Sequence, residues 1–324
     1  MPTAPGTVSD AGLFSTIDSG YLNTVTGAGH HEDLMDICTI LDSYQTPFFS
    51  TAPKIRAYDV MHSWAVDSLA ATATAGLAEG IDFGGDTITG PARLTNVTQI
   101  FSRHVIVSDR ERQARVAGIR DMYEYQTMKA FKEIARNFEA RAFNSGTGVA
   151  ASATGAEATT APLMRGFRGL GITTASSASG GFVTADLIGG AQVLFQAGAE
   201  PDSIWFAPDT KRQFTVATLA TTYNTRNIAA SDMRIVANID VFETPFNQLL
   251  AVITDRFIPC STSSAVGAYF IGDRSMAKVA VYRPPQHKPM GKGGDHTRGI
   301  VLMEATMQLD HPSAWYAVTG VTNG

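Results

Sequence analysis

The longest segment with a single clear period runs from Arg120 to Asn144. Apolar side chains recur there at intervals of three or four residues, the spacing of one face of a helix: Met122, Tyr125, Met128, Phe131, Ala135, Phe138 and Ala142. Asp121, followed three residues later by Glu124, is typical of a capped helix start. The pattern predicts a helix over residues 121–144, about 35 Å long at ~1.5 Å per residue. It places Glu139 among the charged side chains of the other helix faces.

Composition limits the class of protein. Of 324 residues, 44% are hydrophobic and 17% are charged, as in a globular chain that buries a core. The net charge of −5 argues against nonspecific binding of nucleic acid by the bulk surface. Cys38 and Cys260 have neither metal-site spacing nor the density of a disulfide scaffold, so buried thiols in a reducing cytosol fit best. We find no signal peptide and no stretch near the ~20 apolar residues of a membrane span, and we expect neither secretion nor membrane insertion.

Two strand-like segments flank a Gly-rich stretch before this helix. Polar and apolar residues roughly alternate over Lys54–Leu69 and again over Ala92–Val107. Between them, Ala70–Gly90 consists mostly of small residues and has no core of its own. The sequence predicts an extended hairpin that is too long and too thinly apolar to be stable alone, and that therefore needs a surface on which to lie.

The rest of the chain alternates helices and strands. We expect a helix from Thr184, as its cap, to Ala197, a buried strand over Ser203–Ala207, and a helix from Pro208 to Leu219. From Met233 onward the pattern is that of strands, interrupted by a turn-rich loop over Pro284–His296. The fold class predicted from this layout is α+β.

Motifs for catalysis or cofactor binding are weak. His30, His31, Glu32 and Asp33 are adjacent, and adjacent helical residues point about 100° apart, so a polar helix start is favoured over a metal site. The Gly291–Gly294 stretch lacks the glycine and hydroxyl residue of a phosphate-binding loop, so a surface loop is favoured. We predict no catalytic residue, no cofactor and no metal.

A local basic run precedes the long helix. It comprises Arg103, Arg110, Arg112, Arg115 and Arg120. Such a run could bind acidic groups on a neighbouring subunit or a phosphate, and the alternative is a solvated turn whose charge is partly offset by acidic neighbours. We favour contact with protein over contact with DNA.

An ordered series of short motifs resembles the family of tailed-bacteriophage major capsid proteins typified by the SU-ten-type major head protein. The match is densest over residues 34–144, and no single motif carries it. The series is Leu34-Met-Asp-Ile37, Gln45-Thr-Pro-Phe48, Trp64-x-x-Asp67-x-Leu69, Ala78-Glu-Gly80, Asn96-x-x-Gln99-Ile-Phe101, Val105-x-Val107-Ser108, Gly118, Tyr125-Gln126-x-x-Lys129, Glu133, Arg165-x-x-Arg168-Gly-Leu170 and Pro201-Asp202-x-Ile204.

The resemblance implies a Hong Kong 97-like phage capsid fold with a defined division of the chain. Its expected parts are an N-terminal arm (1–47), an extended β-hairpin loop (48–107), a peripheral domain with a spine helix (108–183, helix 121–144), an axial domain (184–259) and return strands of the peripheral domain (260–324). An axial loop is expected at Asn224–Ser231. The extended loop would reach over a neighbouring subunit.

The implied function is that of a major capsid protein of a tailed double-stranded DNA phage, which is not an enzyme. Copies would form pentamers and hexamers of an icosahedral shell that encloses the genome without sequence-specific binding. Expected partners are a portal protein and a scaffolding or cement protein, with assembly in the host cytoplasm and localisation in the virion. We expect intersubunit contacts from Trp64, Asp67, Glu79, Phe83, Arg103, Arg110, Arg112 and Arg115.

Two alternatives stay open at this point. An encapsulin-type bacterial nanocompartment shell has the same fold but encloses enzymes. A soluble enzyme would require a pocket with convergent titratable residues, which the sequence does not indicate.

Overall fold

A computed structural model gives the structure of the chain. It describes residues 45–70, 79–80, 90–114, 118–144, 161–177, 180–220, 239–259 and 267–322. The helices are α1 (Pro47–Thr51), α2 (Asp109–Gln113), α3 (Met122–Asn144), α4 (Thr184–Gln196) and α5 (Pro208–Ala220). The strands are β1 (Lys54–Arg56), β2 (Met61–Val66), β3 (Ala92–Val97), β4 (Gln99–Ser108), β5 (Thr173–Ser176), β6 (Ser203–Phe206), β7 (Val241–Glu243), β8 (Leu249–Thr254), β9 (Gly267–Gly272), β10 (Ala277–Met290), β11 (His296–Leu309) and β12 (Trp315–Val321).

Helix α3 confirms the long helix predicted from the period. Its start is capped by Asp121, whose Oδ1 accepts a hydrogen bond of 2.8 Å from the backbone N–H of Tyr123. The buried side differs from the predicted stripe, because Met128 is 67% exposed. Packing follows the row of i+4 neighbours instead: Ala130, Ile134, Phe138 and Ala142. The small alanines in this row let the helix lie close to the sheet beneath it.

Helix α3 packs on a four-stranded sheet with the order β1-β10-β11-β4. The ring of Phe138 meets the ring of Phe101 on β4, with centroids 5.6 Å apart. β10 and β11 form a long antiparallel hairpin, and β4 lies at the outer edge. The sheet and α3 together bury most of the side chains on α3's inner face.

The prediction of a turn-rich loop over Pro284–His296 is wrong in extent, because the loop is shorter in the structure. β10 continues to Met290, and only residues 291–295 connect it to β11. The register shifts at Val281/Arg283 and Arg283/Gln286 accommodate the two prolines as an irregularity. Among the described residues, β1 pairs β10 only at Val279–Val281, and no described strand covers the outer edge of β10 beyond this point. Such an edge tolerates residues that lack an N–H.

The second sheet has six strands in the order β5-β12-β9-β6-β8-β7. Helices α4 and α5 pack on it, which confirms both predicted helices and the buried strand β6. Thr184 is the first helical residue and not the cap, which is Val183 with no side-chain hydrogen bond. The strands after residue 260 are shared between sheets. β9 and β12 pair with each other in this sheet, whereas β10 pairs with β11, and β11 pairs with β4.

The predicted extended hairpin is divided in the structure. Only β2 and β3 pair with each other, from Met61↔Val97 to Val66↔Ala92. β1 instead runs parallel to β10, and β4 pairs with β11. A period of two is the same whichever sheet a strand joins, so alternation in the sequence did not distinguish these partners.

An aromatic cluster joins α1 and the end of α3 to the six-stranded sheet. Phe167 lies with its ring centroid 4.3 Å from that of Trp315 and 5.1 Å from that of Phe143 at the end of α3. Phe48 of α1 packs edge-on against Phe143, at 5.7 Å. The cluster fixes α1, α3 and the six-stranded sheet against one another. No helix in the described parts of the chain is long and apolar enough to cross a membrane.

Candidate intersubunit surface

The β2–β3 hairpin is anchored to its own chain at Trp64 and His62. His62 Nε2 lies 2.6 Å from Gln308 Oε1 on β11. The Trp64 ring packs against the core cluster and stacks obliquely on His62, with centroids 5.7 Å apart. Trp64 Nε1 is buried and has no hydrogen-bond partner among the described residues. Trp64 therefore holds the inner face of the hairpin, and a partner for its N–H is missing from the described chain.

Beyond Trp64 the hairpin leaves the body of the protein and becomes exposed. Leu69, which follows β2, is 99% exposed; at the opposite end of the hairpin, Tyr58, which precedes β2, is 82% exposed. Asp67 is exposed and accepts a hydrogen bond of 2.9 Å from the N–H of Ser68. Glu79 is exposed, and Phe83 lies outside the described residues. An exposed leucine and tyrosine beside exposed carboxylates are typical of a surface that a partner covers.

The basic run divides into arginines paired within the chain and exposed arginines. Arg103 forms an ion pair of 2.9 Å with Glu133 of α3, and Arg112 forms one of 2.9 Å with Asp121. Arg110 is exposed. Arg115 lies outside the described residues. Arg103 and Arg112 thus tie α3 to its surroundings within one chain, which the sequence did not reveal.

The same region links α2 to the tip of the β10–β11 hairpin. Asp109 accepts hydrogen bonds of 2.6 Å from Lys292 Nζ and of 2.7 Å from Thr297 Oγ1. These bonds lower the pKa of Asp109, the Lys292 bond most strongly. The Arg112 guanidinium in the same way holds the pKa of Asp121 below its ordinary value. Asp109 and Asp121 thus each bind a basic side chain of the same chain. This agrees with the alternative in which the basic run is a solvated turn whose charge is offset by acidic neighbours.

The motif Asn96-x-x-Gln99 has a definite structural role that sequence reasoning missed. Asn96 Nδ2 donates to the carbonyls of Arg165 and Met307 at 3.0 and 2.8 Å, while Oδ1 accepts from the N–H of Arg165 at 2.9 Å. Gln99 Oε1 accepts from the N–H of Met164 at 3.1 Å. The motif clamps residues 164–165 onto β3, β4 and β11. The sequence offered one sign of this role: the side-chain amides of Asn96 and Gln99 interrupt a run that is otherwise typical of a strand.

Two buried acids were also missed. Glu304 on β11 accepts a hydrogen bond of 2.8 Å from Thr98 Oγ1 and pairs with Arg283 Nε at 2.7 Å. Glu139 on α3 is fully buried, and its two oxygens accept the backbone N–H groups of Phe48 and Phe49 at 2.6 and 2.7 Å. Burial, with the nearby charge of Asp255, raises the pKa of Glu139 to about 9. The sequence pattern gave no sign of this, because the predicted apolar stripe put Glu139 on another face of the helix.

Two observations on the described residues bear on metal binding and catalysis. They contain no group of three or more His, Cys, Asp or Glu that could hold a metal ion. A groove of about 520 Å³ lies between β4 and the end of α3, and Arg141 is its only charged lining residue. Among the described residues, no histidine or acid lines this groove to activate the Ser102 hydroxyl or to transfer a proton. The His30–Asp33 stretch lies outside the described residues, as do Cys38, Cys260 and the expected axial loop.

Comparisons with known proteins agree with this architecture. The chain is similar to the capsid asymmetric unit of cyanophage A-1(L), with 10% identity, 93% of this chain and 100% of that chain covered, and a TM-score of 0.65. It is similar to the capsid of a native GTA particle, with 14% identity, coverage of 92% and 97%, and a TM-score of 0.61. The SrpI encapsulin of Synechococcus elongatus is also similar, with 10% identity, coverage of 88% and 93%, and a TM-score of 0.54. A comparison with curated protein sequences gave no match.

These likenesses confirm the predicted α+β, Hong Kong 97-like fold, which phage capsids and encapsulins share. The family is decided by sequence. The family model described as SU10 major capsid protein matches residues 16–322. A match over nearly the whole chain confirms the family expected from the motifs. The chain belongs to the SU10 major capsid protein family and is a structural protein of a phage head shell, a multimer located in the virion, and not an enzyme.

Proposed function

We propose that copies of this chain assemble as pentamers and hexamers into an icosahedral shell around the double-stranded DNA of a tailed phage. The β2–β3 hairpin is the observation that carries this proposal. It is a two-stranded sheet outside both main sheets, and isolated two-stranded hairpins are marginal in water. The exposed Leu69 at its far end gains stability only when another subunit covers it.

The parts of the chain take the roles implied by the family fold. Residues 1–47 form an arm, residues 48–107 the extended loop, and residues 108–183 with α3 the peripheral domain. Residues 184–259 form the axial domain, and residues 260–324 supply return strands. The sharing of β9 and β12 with the six-stranded sheet supports a close junction between axial and peripheral parts.

The contact residues separate into two groups. Asp67, Glu79 and Arg110 are exposed and are suited to direct intersubunit ion pairs. Phe83 and Arg115 keep the same proposed role. Trp64, Arg103 and Arg112 already contact their own chain and would act by holding the contact surface in place.

Further partners follow from the same function. A portal protein would occupy one vertex, and a scaffolding or cement protein would guide or stabilise the shell, with assembly in the host cytoplasm. DNA would be enclosed without sequence-specific contacts. The net charge of −5 supports weak binding, because a strongly basic inner surface would hinder packing and release of DNA.

Deletion of the hairpin tip tests the proposal. Removal of residues 71–89, joined by a short Gly-Ser linker, should leave a folded subunit but abolish closed particles in sedimentation and electron microscopy. Normal particles from the deletion variant would contradict a strap role for the hairpin. Shells that copurify with a stoichiometric enzyme cargo would instead support the encapsulin alternative, which shares the fold.

A further inference from the structure

Two buried carboxyl groups meet beneath α1, the short helix that directly follows residues 1–44. Glu139 is 0% exposed and Asp255 is 1% exposed. Glu139 comes from α3, and Asp255 directly follows β8. Neither residue takes part in the contacts proposed for assembly, and an acid is rarely buried to this degree without a specific role.

Glu139 is bound to the first turn of α1 through both oxygens. Oε1 accepts the N–H of Phe48 at 2.6 Å and Oε2 accepts the N–H of Phe49 at 2.7 Å. These N–H groups have no partner inside α1, since the first turn of any helix leaves its donors free. One side chain of the long helix thus caps the helix at the base of the N-terminal segment.

Asp255 completes the arrangement from the other side. Its Oδ1 accepts the N–H of Phe257 at 2.9 Å, and its own N–H donates to the carbonyl of Phe206 on β6 at 3.0 Å. Together with burial, the charge of Asp255 raises the pKa of Glu139, so the two carboxyl groups lie close enough to interact. Yet Asp255 Oδ2 is buried and meets no donor among the described residues. Two carboxylates cannot donate to each other, so a hydrogen bond between these groups requires one shared proton.

The geometry indicates where this proton lies. Both Glu139 oxygens already accept N–H groups, whereas Asp255 Oδ2 has no donor. A proton on Asp255 Oδ2, donated to Glu139, satisfies every oxygen of the pair. Burial raises the pKa of both groups, and for Glu139 to about 9. The pair therefore keeps one proton at neutral pH.

The charged groups around the pair do not neutralise it. Helix α1 has no titratable side chain, and Lys54 lies over the Phe49 ring at 4.8 Å. Arg136 is one turn before Glu139 on α3, Arg256 follows Asp255, and Asp209 lies in the first turn of α5. The pKa shifts of the two carboxyls come from burial, from backbone N–H groups and from each other.

We propose that Glu139 and Asp255 form a proton-dependent clamp that fastens α1 to α3, and that loss of the shared proton loosens α1 and with it the base of the N-terminal segment. With the proton present, α1, α3 and the chain after β8 are joined by one hydrogen-bonded unit. Without it, two adjacent buried carboxylates repel each other, and separation of α1 from α3 admits water to them. The ring contacts of Phe48 stay as the opposing, pH-independent attachment.

The sign of the pH dependence follows from linkage. An exposed or unfolded Glu releases its proton near its ordinary pKa of 4.5, whereas burial and the charge of Asp255 raise the pKa of Glu139 in the closed state to about 9. Between these values the closed state holds a proton that the open state lacks, so rising pH favours opening by about tenfold per pH unit. Above about pH 9 the dependence ends, because both states have lost the proton.

Hydrogen exchange of the peptide containing residues 45–51, corrected for intrinsic exchange rates, tests the clamp in the full chain. Between pH 6 and pH 9 the opening constant of the native peptide should rise by up to about tenfold per unit. In Asp255→Asn the amide donates to Glu139 at every pH, so the slope should disappear. Glu133→Gln, which changes an acid of α3 in a surface ion pair, is the matched control and should keep the native slope.

The native protein alone suffices to overturn the proposal. A native peptide 45–51 whose corrected opening constant is constant from pH 6 to pH 9 contradicts the clamp, whether or not the variants fold. An Asp255→Asn variant with the native slope contradicts it as well. If the opening constant of the peptide that covers β9 rose equally with pH, the pH dependence would belong to unfolding of the whole subunit. That result would also overturn the clamp.

Discussion

Gly166 lies so close to the end of α3 that a Cβ at this position would be 2.2 Å from the carbonyl oxygen of Ala142. The carbonyl of Arg141 would be 2.8 Å away. Both obstacles are backbone atoms of a helix, so neither can move without distorting α3. This contact sets the distance between α3 and the segment that carries Phe167 into the aromatic cluster.

Gly166→Ala should therefore destabilise the subunit by about 2–3 kcal/mol, the range for overpacking against a rigid surface. Denaturant unfolding of the subunit measures the change. Gly189→Ala is the matched control, because its Cβ meets nothing within 4 Å and Gly189 lies inside α4. That control should stabilise the helix by roughly 0.5–1 kcal/mol. Equal effects of the two substitutions would contradict the close approach.

Asn96→Ala should lower the free energy of unfolding by about 2–4 kcal/mol. It removes four hydrogen bonds, of which those to the carbonyl of Met307 and from the N–H of Val97 are buried and those to Arg165 are partly buried. Gln113→Ala, an exposed substitution at the end of α2, should change stability by less than about 0.5 kcal/mol. An Asn96→Ala variant as stable as the control would show that the motif does not clamp residues 164–165.

Arg283→Met and Arg103→Met remove the basic partner of two ion pairs that differ in burial. Glu304 keeps only 6% side-chain exposure, so loss of Arg283 leaves a buried charge and should cost about 3–5 kcal/mol. The Arg103–Glu133 pair is exposed to solvent, and its loss should cost at most about 1 kcal/mol. Thermal unfolding of both variants in parallel gives the comparison, and similar shifts would refute the assigned burial.

Leu69→Asp tests whether the exposed end of the hairpin is an assembly surface. Because Leu69 is 99% exposed in the subunit, the substitution should leave subunit stability within about 0.5 kcal/mol. It should nevertheless reduce the yield of particles severely, since the leucine gains stability only on contact. Ser68→Asp adds the same charge one residue away and should reduce the yield less. Unchanged particle yield from Leu69→Asp would exclude this leucine from the contact.

The sequence predicted elements better than it predicted their partners. The period over Arg120–Asn144 was sufficient for α3, because a regular helix shows its spacing wherever it packs. It was not sufficient for the buried side of α3, which depends on the sheet and on α1, and Glu139 is stable there only because Phe48 and Phe49 supply N–H groups from 90 residues away. Hydrogen bonds between residues so far apart in the chain leave no pattern in the sequence around Glu139.

For the candidate intersubunit surface, too, the sequence predicted the elements but not the residues or strands with which they pair. Alternation identified strands on both sides of Ala70–Gly90, but not that β1 and β4 join β10 and β11. The arginine run was recognisable, whereas the pairing of Arg103 and Arg112 with acids of α3 and its cap required the fold. The intersubunit roles of Trp64, Asp67, Glu79 and Phe83 stay predictions.

Assembly of the purified chain tests the central claim most directly. Negative-stain electron microscopy, with size-exclusion chromatography and light scattering, should be carried out on concentrated protein over a range of salt. The account predicts shells, tubes, or discrete pentamers and hexamers. A monomer or dimer at every concentration and salt, with no assembly under crowding, would contradict it.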